Sequence, residues 1–503
     1  MKKTDSLFIL VKSLSKAEKR YFHLFSNLQS GNKVYTFLFD LLDNNDSIDD
    51  VHLKFCQKQD GKSFEMAAKY LYRILLDCLV KLREKDDIQA HIYNKISKAA
   101  ILFDRELFDN AFAELRKAEK LAVDFEKDAL LLLIRRTELK YLSALNFEGI
   151  SESELVSKQM RINETSKYSR NINQHRQLHD ILKYRITHKG YARSDKQKDG
   201  LNDLVLSELN LIANNSYTGF EAQKLHLLFQ AAYYLNSGNY KSAIRYYQEL
   251  ISLFDENQHL LLNPPIYYFS AIHGILDSLN VAGIYREMPP FISKLKELEM
   301  KGYSVEFTLK VRTAMFYHES SRYIQIGEFD MMRNLMDEYN ESLLKNISLL
   351  GLEEQLKIYL YTLLFHFCTG DLILARKSMK KILGSGKLFH AFPLYKTVRL
   401  INLLLQAELG NSAFFENEIS SIKRNIHFEK HVYATEKLLF KFVLAFPLPS
   451  YEKTRDKLWM QYKKEIQKIE QSKYERQLLK TFDFLAWIES KLTRRSFVDV
   501  LKR

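Results

Sequence analysis

The apolar positions of residues 224–257 recur every three or four residues, which is the spacing of amphipathic α-helices rather than of β-strands. The second half of this stretch shows the spacing best, with apolar side chains at Tyr240, Ala243, Ile244, Tyr247, Leu250 and Ile251. Between the two halves stands Gly238, which can adopt the left-handed backbone conformation that ends a helix. The stretch is therefore predicted to be a hairpin of two amphipathic helices joined by a tight turn.

The turn and the helix after it carry a recognisable motif. Gly238, Tyr240 and Ala243 form a Gly-x-Tyr-x-x-Ala sequence. In this motif the stretch resembles a tetratricopeptide repeat, a helical hairpin of about 34 residues that stacks on copies of itself. It departs from the repeat pattern at Leu227, where an aromatic residue is common, and at Asp255, where a proline usually ends the unit. The resemblance implies a fold and the binding of partners, but no reaction.

Glycine turns of the same kind recur after the first one, at Gly283, Gly327, Gly370 and Gly410, at intervals of 40 to 45 residues. These intervals exceed the length of the type repeat, and we expect the additional residues to lengthen the helices. Prolines at 264–265, 289–290 and 393 stand where new helices would begin, a position that proline tolerates. The chain is therefore predicted to be all-α, an α-solenoid of stacked antiparallel helical hairpins (TPR-like) with helical N- and C-terminal caps.

Changes of pattern divide the chain into four segments. Residues 1–88 are predicted to form an N-terminal helical cap, in which Ser15 and Glu18 make a capping box. Residues 89–200 contain the first degenerate hairpins and a basic segment, and residues 201–445 form the TPR-like repeat array. Residues 446–503 are predicted to be C-terminal capping helices, with one or two amphipathic helices over 451–492.

Composition agrees with this architecture. The 503 residues exceed the size of one compact core, whereas a repeat array escapes that limit because each unit contacts mainly its neighbours. No uninterrupted apolar run approaches the length of a membrane span, so no membrane association is expected. Three widely spaced cysteines suit free thiols in a reducing compartment, and we expect a cytoplasmic protein.

Catalytic motifs are missing from the sequence. It has no phosphate-binding GxxxxGK loop, no GxGxxG after a strand, no HExxH and no GxSxG. Acidic residues are abundant, but they stand at positions typical of solvated helix surfaces. We therefore expect no enzymatic activity, no catalytic residues, no cofactor and no metal site.

The resemblance implies a binding surface instead. In tetratricopeptide proteins the first helix of each hairpin lines the concave face, and its inward positions hold peptide ligands. Counting back from each turn glycine, the corresponding polar positions here are Asn236, His273, Asp277, Asn280, Tyr317, Ser321 and Gln325. The later units give mostly leucine and phenylalanine there. We expect a scaffold or adaptor that binds a protein or peptide through this face, unless the chain's own C-terminal helices close its apolar end.

A second function class uses the charge of the chain, which is +13 at pH 7. Residues 158–198 mix many basic residues with aromatic ones, a composition that can bind phosphates and stack bases. The candidates for nucleic-acid binding are Arg161, Lys167, Arg170, Arg176, Lys183 and Arg185. The N-terminal helices are a further candidate, as a DNA-reading element rather than a cap. The competing interpretation of 158–198 is a solvated outer helix face, and the oligomeric state is left open.

Overall fold

A computed structural model of the protein describes residues 3–27, 34–45, 47–59, 61, 63–83, 87–213, 219–262, 264–426 and 432–502. Over these residues the chain forms helices and turns and no β-strand, which confirms the prediction of an all-α protein. Many of the helices pack against their neighbours in sequence, as in a helical repeat. Their arrangement as a solenoid stays a prediction.

The described chain divides into two compact units. Unit 1 comprises residues 1–172 and 303–307, and unit 2 comprises residues 173–302 and 308–503. The division falls inside the predicted segment 89–200, and residues 446–503 belong to the same unit as the repeats. The finer division into four segments stays a prediction.

Unit 1 begins with eight helices: α1 (Lys3–Ser13), α2 (Lys16–Asn27), α3 (Val34–Asn44), α4 (Ile48–Lys58), α5 (Phe64–Arg83), α6 (Ile88–Phe103), α7 (Phe108–Asp124) and α8 (Asp128–Ala144). The next helix, α9 (Glu152–Lys189), supplies residues to both units.

Helices α1 to α5 share one hydrophobic core, to which α5 contributes the fully buried Leu71, Leu75 and Cys78. The predicted capping box is present at the start of α2. The backbone N–H of Glu18 donates to the Ser15 hydroxyl (3.2 Å), and the Ser15 N–H donates to the Glu18 carboxylate (2.8 Å). A second cluster joins α6, α7 and α8, so these helices are the first hairpins after the N-terminal group.

Three turns of unit 1 reach the left-handed conformation without glycine. Glu106, Glu126 and Asn146 have φ between +48° and +61°, and each follows the end of a helix. At each turn the next residue donates its N–H back across the turn, for example from Leu107 to the carbonyl of Leu102 (3.0 Å). A side chain in this region costs about 1–2 kcal/mol, which the helix-ending hydrogen bonds offset.

Unit 2 contains the remaining helices. They are α10 (Asp195–Asp199), α11 (Asn202–Ala213), α12 (Phe220–Asn236), α13 (Tyr240–Glu256), α14 (Ile266–Ala282), α15 (Pro289–Met300), α16 (Val305–Ile326, from residue 308), α17 (Phe329–Ser342), α18 (Leu352–Cys368), α19 (Leu372–Gly384), α20 (Pro393–Glu408), α21 (Phe415–Ile426), α22 (Ala434–Val443), α23 (Glu452–Glu470), α24 (Arg476–Leu479), α25 (Phe484–Thr493) and α26 (Phe497–Leu501).

The predicted turn glycines of unit 2 all lie between two helices. Gly238, Gly283, Gly327, Gly370 and Gly410 have φ between +72° and +82°, the region that favours glycine. After four of them the next residue donates its N–H to a carbonyl five residues back, the bond of a Schellman cap. Four of the five glycines therefore end their helices in the same way, and Gly370 shares only the left-handed backbone conformation.

The prediction that the additional residues of the longer repeats lengthen the helices is only partly correct. Only α16, with 22 residues, is unusually long, whereas α15, α17, α19 and α21 have 12 to 14 residues each. Much of the additional length lies in the links between hairpins, such as the 3₁₀ segment Leu344–Leu349. Helices still begin at or beside the prolines, at Ile266, Pro289 and Pro393.

The C-terminal region differs from the predicted one or two amphipathic helices over 451–492. Helix α23 ends at Glu470, and the chain then forms turns and the single helical turn α24 before α25 begins at Phe484. The alternating charges of 451–470 do predict α23. The break after it has no glycine or proline to signal it.

Gly274 gives a test of helix packing in unit 2. A methyl group at this position, in the middle of α14, would lie 2.3 Å from Cζ of Tyr247, whose ring is buried against the helix. Gly274→Ala should therefore lower the free energy of unfolding of the protein by about 1–3 kcal/mol, although alanine is the better helix former. Urea unfolding followed by circular dichroism measures the change.

Gly384→Ala is the matched control, because Gly384 is also helical and its added methyl group would meet no atom within 4 Å. It should leave stability unchanged or raise it by up to about 1 kcal/mol. Equal effects of the two substitutions would show that Tyr247 does not pack against α14 as described.

Candidate functional site

The seven residues predicted for partner binding lie on three helices of unit 2. Asn236 is on α12; His273, Asp277 and Asn280 are on α14; Tyr317, Ser321 and Gln325 are on α16. Asn236, Asn280, Tyr317 and Ser321 are buried, and the other three are half-buried. The structure thus brings the predicted residues of α14 and α16 together, but it gives them partners within the chain.

These partners come largely from residues 471–483, which we call the C-terminal segment. The Gln325 side-chain amide donates to the backbone carbonyls of Leu479 (2.9 Å) and Lys480 (3.1 Å). The Ser321 hydroxyl also donates to the Lys480 carbonyl (3.3 Å) and accepts from the Asn280 amide (2.7 Å). Two side chains of α16 thus hold the carbonyls at the end of α24, which have no partner within their own short helix, and Asn280 of α14 supports one of them.

An ion pair anchors the same part of the segment. Nζ of Lys480 lies 2.9 Å from Oδ2 of Asp277, and the two side chains are only 11% and 13% exposed. Tyr317 donates its hydroxyl to the other oxygen of Asp277 (3.1 Å). The Lys480 ammonium also lies 5.4 Å from the centre of the Tyr191 ring, within the range of a cation–π interaction.

The electrostatics of Asp277 follow from these contacts. Burial raises the pKa of the Asp277 carboxyl, but the charge and hydrogen bond of Lys480, with smaller contributions from the two neighbouring histidines, together outweigh burial and hold this pKa well below its usual range. Burial, together with the negative charge of Asp277, raises the pKa of Tyr317 well above its ordinary value. Asp277 is therefore ionised and Tyr317 neutral at neutral pH, as the ion pair and the hydrogen bond require.

Two histidines stand beside the ion pair. Nε2 of His318 and Nδ1 of His273 are 2.8 Å apart, so one ring donates a hydrogen bond to the other. Burial, and next the charge of Lys357, lower the pKa of His273 to about 4. Burial also lowers the pKa of His318 well below 6.5. Both rings are therefore neutral at pH 7, since two protonated rings could not share this hydrogen bond.

The other end of the C-terminal segment is fixed by α12 and α13. Tyr240 donates its hydroxyl to the carbonyl of Lys473 (2.7 Å), and Gln477 donates to the carbonyl of Leu235 (3.4 Å). Asn236 binds a different part of the chain, where it accepts the N–H of Ala192 (3.0 Å). Tyr474 donates to Asp195 (2.7 Å), so the segment is tied to the 191–195 loop as well.

The segment also belongs to the hydrophobic core. Phe482 is fully buried, and its ring meets Phe367 of α18 at 5.9 Å between ring centres. The leucines at the apolar inward positions, such as Leu360 and Leu404, are fully buried too. The apolar end of the predicted groove is thus closed, as the alternative interpretation of the sequence expected.

Three residues of this site were missed by the sequence analysis: Lys480, His318 and Tyr191. His318 stands 45 positions after His273, which is the interval between the turn glycines, and this spacing could have identified it. Lys480 and Tyr191 had no such signal, because both lie outside the repeats in sequence. Their contacts depend on how distant parts of the chain fold together.

The nucleic-acid candidates all lie on α9 but do not share one face. At 100° per residue, Arg161, Arg176 and Lys183 point to one side of the helix, and Lys167, Arg170 and Arg185 point to the opposite side. Arg176 is paired with Glu221 (2.9 Å). Arg185 forms a bidentate pair with Asp203, with both distances 2.7 Å. Two of the three candidates in unit 2 are therefore neutralised, and within each unit the candidates divide between two sides of the helix.

Comparisons with known proteins give no relative. No protein-family model, no curated protein and no solved structure matches this chain. The tetratricopeptide resemblance therefore remains a resemblance in the motif and in the helical hairpins. Over the described residues, no helix is long and apolar enough to cross a membrane, and no three metal-binding side chains form a cluster.

The Asp277–Lys480 pair should be essential for stability. Lys480→Met leaves the Asp277 charge buried without its partner, and Asp277→Asn does the same to Lys480. Each should lower the free energy of unfolding by about 3–5 kcal/mol, and the double substitution should lower it by less than the sum. Denaturant unfolding of the three variants measures this coupling.

Lys441→Met is the control for this experiment, since Lys441 pairs with Glu465 at a similar distance (2.8 Å) on the exposed surface. Its effect should stay below about 1 kcal/mol. Strictly additive effects of Lys480→Met and Asp277→Asn would contradict the proposed anchor.

The histidine pair predicts a pH dependence. Because the pKa of His273 is about 4 in the folded protein and 6.5 when exposed, the unfolded chain binds more protons between these values. Stability should be fully present above pH 6.5 and should fall as the pH drops from 6.5 towards 4. The slope contributed by one histidine is at most about 1.4 kcal/mol per pH unit.

His273→Gln removes this contribution and also relieves the effect of His273 on the pKa of His318, so the variant reports on the coupled pair. Between pH 6.5 and 4.5 the variant's free energy of unfolding should change less steeply than that of the wild type. Parallel curves would mean that His273 is not a neutral buried ring.

Proposed function

We propose that the protein is a non-enzymatic scaffold that binds a protein partner, and that the partner docks on helix α5 of unit 1. The carrying observation is a stripe of large apolar side chains left exposed along this 20-residue helix. Met66 and Val80 are 67% and 68% exposed, and Tyr72 and Leu76 lie between them. Exposed apolar surface of this extent is typical of protein-interaction sites.

The opposite face of α5 shows that the stripe is not needed for folding. Leu71, Leu75 and Cys78 are fully buried and join α5 to the core of α1 to α4. The helix is therefore fixed in place with large apolar side chains turned outward. Glu65, Lys69, Arg73 and Asp77 are exposed among them, so this outward side mixes apolar and charged residues, whereas an amphipathic surface helix would ordinarily be polar throughout there.

Charge indicates the chemistry of the partner. Lys69 and Arg73 lie on the same side of α5 as Met66 and Val80, and both are exposed. No carboxylate of the described residues lies within ion-pair distance of either. A partner helix with an apolar face and flanking Asp or Glu residues would cover the stripe and neutralise both charges.

The contacts of the C-terminal segment support α5 as the docking surface, rather than the inward face of α12, α14 and α16. The polar residues there already bind peptide carbonyls and a lysine, but those groups belong to the chain itself. A partner would have to displace a segment that includes the fully buried Phe482. Tyr317→Ala is consequently a poor probe of binding, because loss of this buried ring costs about 3–5 kcal/mol of stability.

The test is affinity capture from the cytosol of the source cells with the full chain as bait, before and after nuclease treatment. Leu76→Ser combined with Val80→Ser should lose a protein that the wild type captures, and Lys69→Glu combined with Arg73→Glu should lose the same protein. Both positions of each pair are exposed, so the thermal midpoint should change little.

The matched control is Ile101→Ser with Val123→Ser, which removes two side chains of comparable exposure from α6 and α7. This variant should retain the captured protein. Capture that is equal for all variants would exclude α5 as the docking surface, and capture that disappears with nuclease would favour the nucleic-acid alternative.

A further inference from the structure

Helix α19 and the turn after it carry the most uniform charge of the described surface. Five basic side chains are exposed between residues 376 and 387, a stretch of 12 residues: Arg376, Lys377, Lys380, Lys381 and Lys387. The one nearby acid in sequence, Asp371, caps the helix and accepts the N–H of Leu374 (3.0 Å). This group of cations is called the α19 basic face below.

None of the five cations has an ion-pair partner among the described residues. Other exposed helices of unit 2 do pair their charges along the helix, as in Arg245 with Glu249 on α13 and Lys357 with Glu353 on α18. On α19, the residues four apart are instead Arg376 with Lys380 and Lys377 with Lys381. Like charges at this spacing destabilise a helix, so the pattern is unfavourable for folding.

Large aliphatic side chains stand among these cations. Ile373 is 82% exposed and Leu388 is 57% exposed, and Leu374 and Leu383 are exposed to a smaller degree. On the helix, Ile373 lies in line with Lys377 and Lys380, whereas Leu374 and Leu383 lie on opposite flanks. The aliphatic groups are thus spread over a convex face and do not gather into a groove.

The inner side of α19 is already folded against unit 2. Ala375 and Ile382 are fully buried, Met379 is buried, and α19 packs along α18. The α19 basic face is therefore preformed, and binding would not have to supply the free energy of folding a helix. Preformed geometry reduces the entropy lost on association.

We propose that the α19 basic face binds the surface of an anionic lipid bilayer. Lysines beside exposed aliphatic side chains match this surface, since the ammonium groups meet the lipid phosphates while Ile373 and Leu388 enter the interface. A convex face with spread aliphatic groups suits a bilayer better than a peptide helix, which needs a groove. Nucleic acid is less well matched, because α19 has no aromatic side chain on which a base could stack. This binding is peripheral and separate from docking on α5, and it replaces the expectation of no membrane association, which was based only on the absence of a membrane span from the sequence.

The test is co-sedimentation of the full-length protein with vesicles of phosphatidylcholine containing 30% phosphatidylglycerol, and with vesicles of phosphatidylcholine alone. Binding is expected only to the anionic vesicles and should weaken between 50 and 300 mM salt. Lys377→Gln combined with Lys380→Gln should weaken it about 25-fold, at about fivefold for each cation. Ile373→Ser should weaken it by roughly tenfold through the lost apolar contact.

Lys463→Gln with Lys464→Gln is the matched control, because it removes two exposed lysines of α23 that likewise have no described ion-pair partner. It should change vesicle binding by less than about twofold. Equal losses in the two double variants would overturn the proposal, since net charge alone would then explain binding. Failure to bind anionic vesicles would also overturn it, as would exclusive binding to a single-stranded RNA oligonucleotide in a parallel titration.

Discussion

The structure of unit 2 depends on one buried ion pair, which joins positions 203 residues apart. Removing Asp277 and Lys480 from water is unfavourable, and attraction alone rarely offsets that cost. Here the hydroxyl of Tyr317 and the ring of Tyr191 supply further contacts to the two charges. Because the charged groups can be satisfied in only this arrangement, the pair fixes where the C-terminal segment lies along α14 and α16.

The remaining polar contacts follow from that placement. Once Lys480 is fixed, its own carbonyl and that of Leu479 lie where Gln325 and Ser321 can donate to them. An irregular segment has backbone groups without helical partners, and burying them requires such donors. The polar residues at the inward positions of α14 and α16 are therefore explained by contacts within the chain. The polar side chains that predict a ligand site in the sequence instead bind the C-terminal segment of the same chain.

Local features of the sequence predict much of this fold. The apolar spacing, the glycines such as Gly238 and the prolines identify the hairpins, because each signal acts within a few residues. Glu106 shows a local limit: a left-handed turn without glycine leaves no mark in the sequence, since the hydrogen bonds that offset its cost are made by backbone groups. Lys480 shows a larger limit of sequence-based prediction. The residues around it in sequence do not distinguish it from a surface lysine. Only its ion pair with Asp277, which is far away in sequence, makes it a largely buried residue.

Closure of the inward face changes where a partner can bind. If residues 471–483 form a permanent part of the core, recognition must use outward surfaces, and the chain retains two that folding does not require. The stripe on α5 is apolar with two cations, which suits a folded protein surface. The face of α19 is cationic with scattered aliphatic groups, which suits a phosphate-rich interface. The two surfaces differ in chemistry and belong to different units, so each is proposed for a different kind of partner.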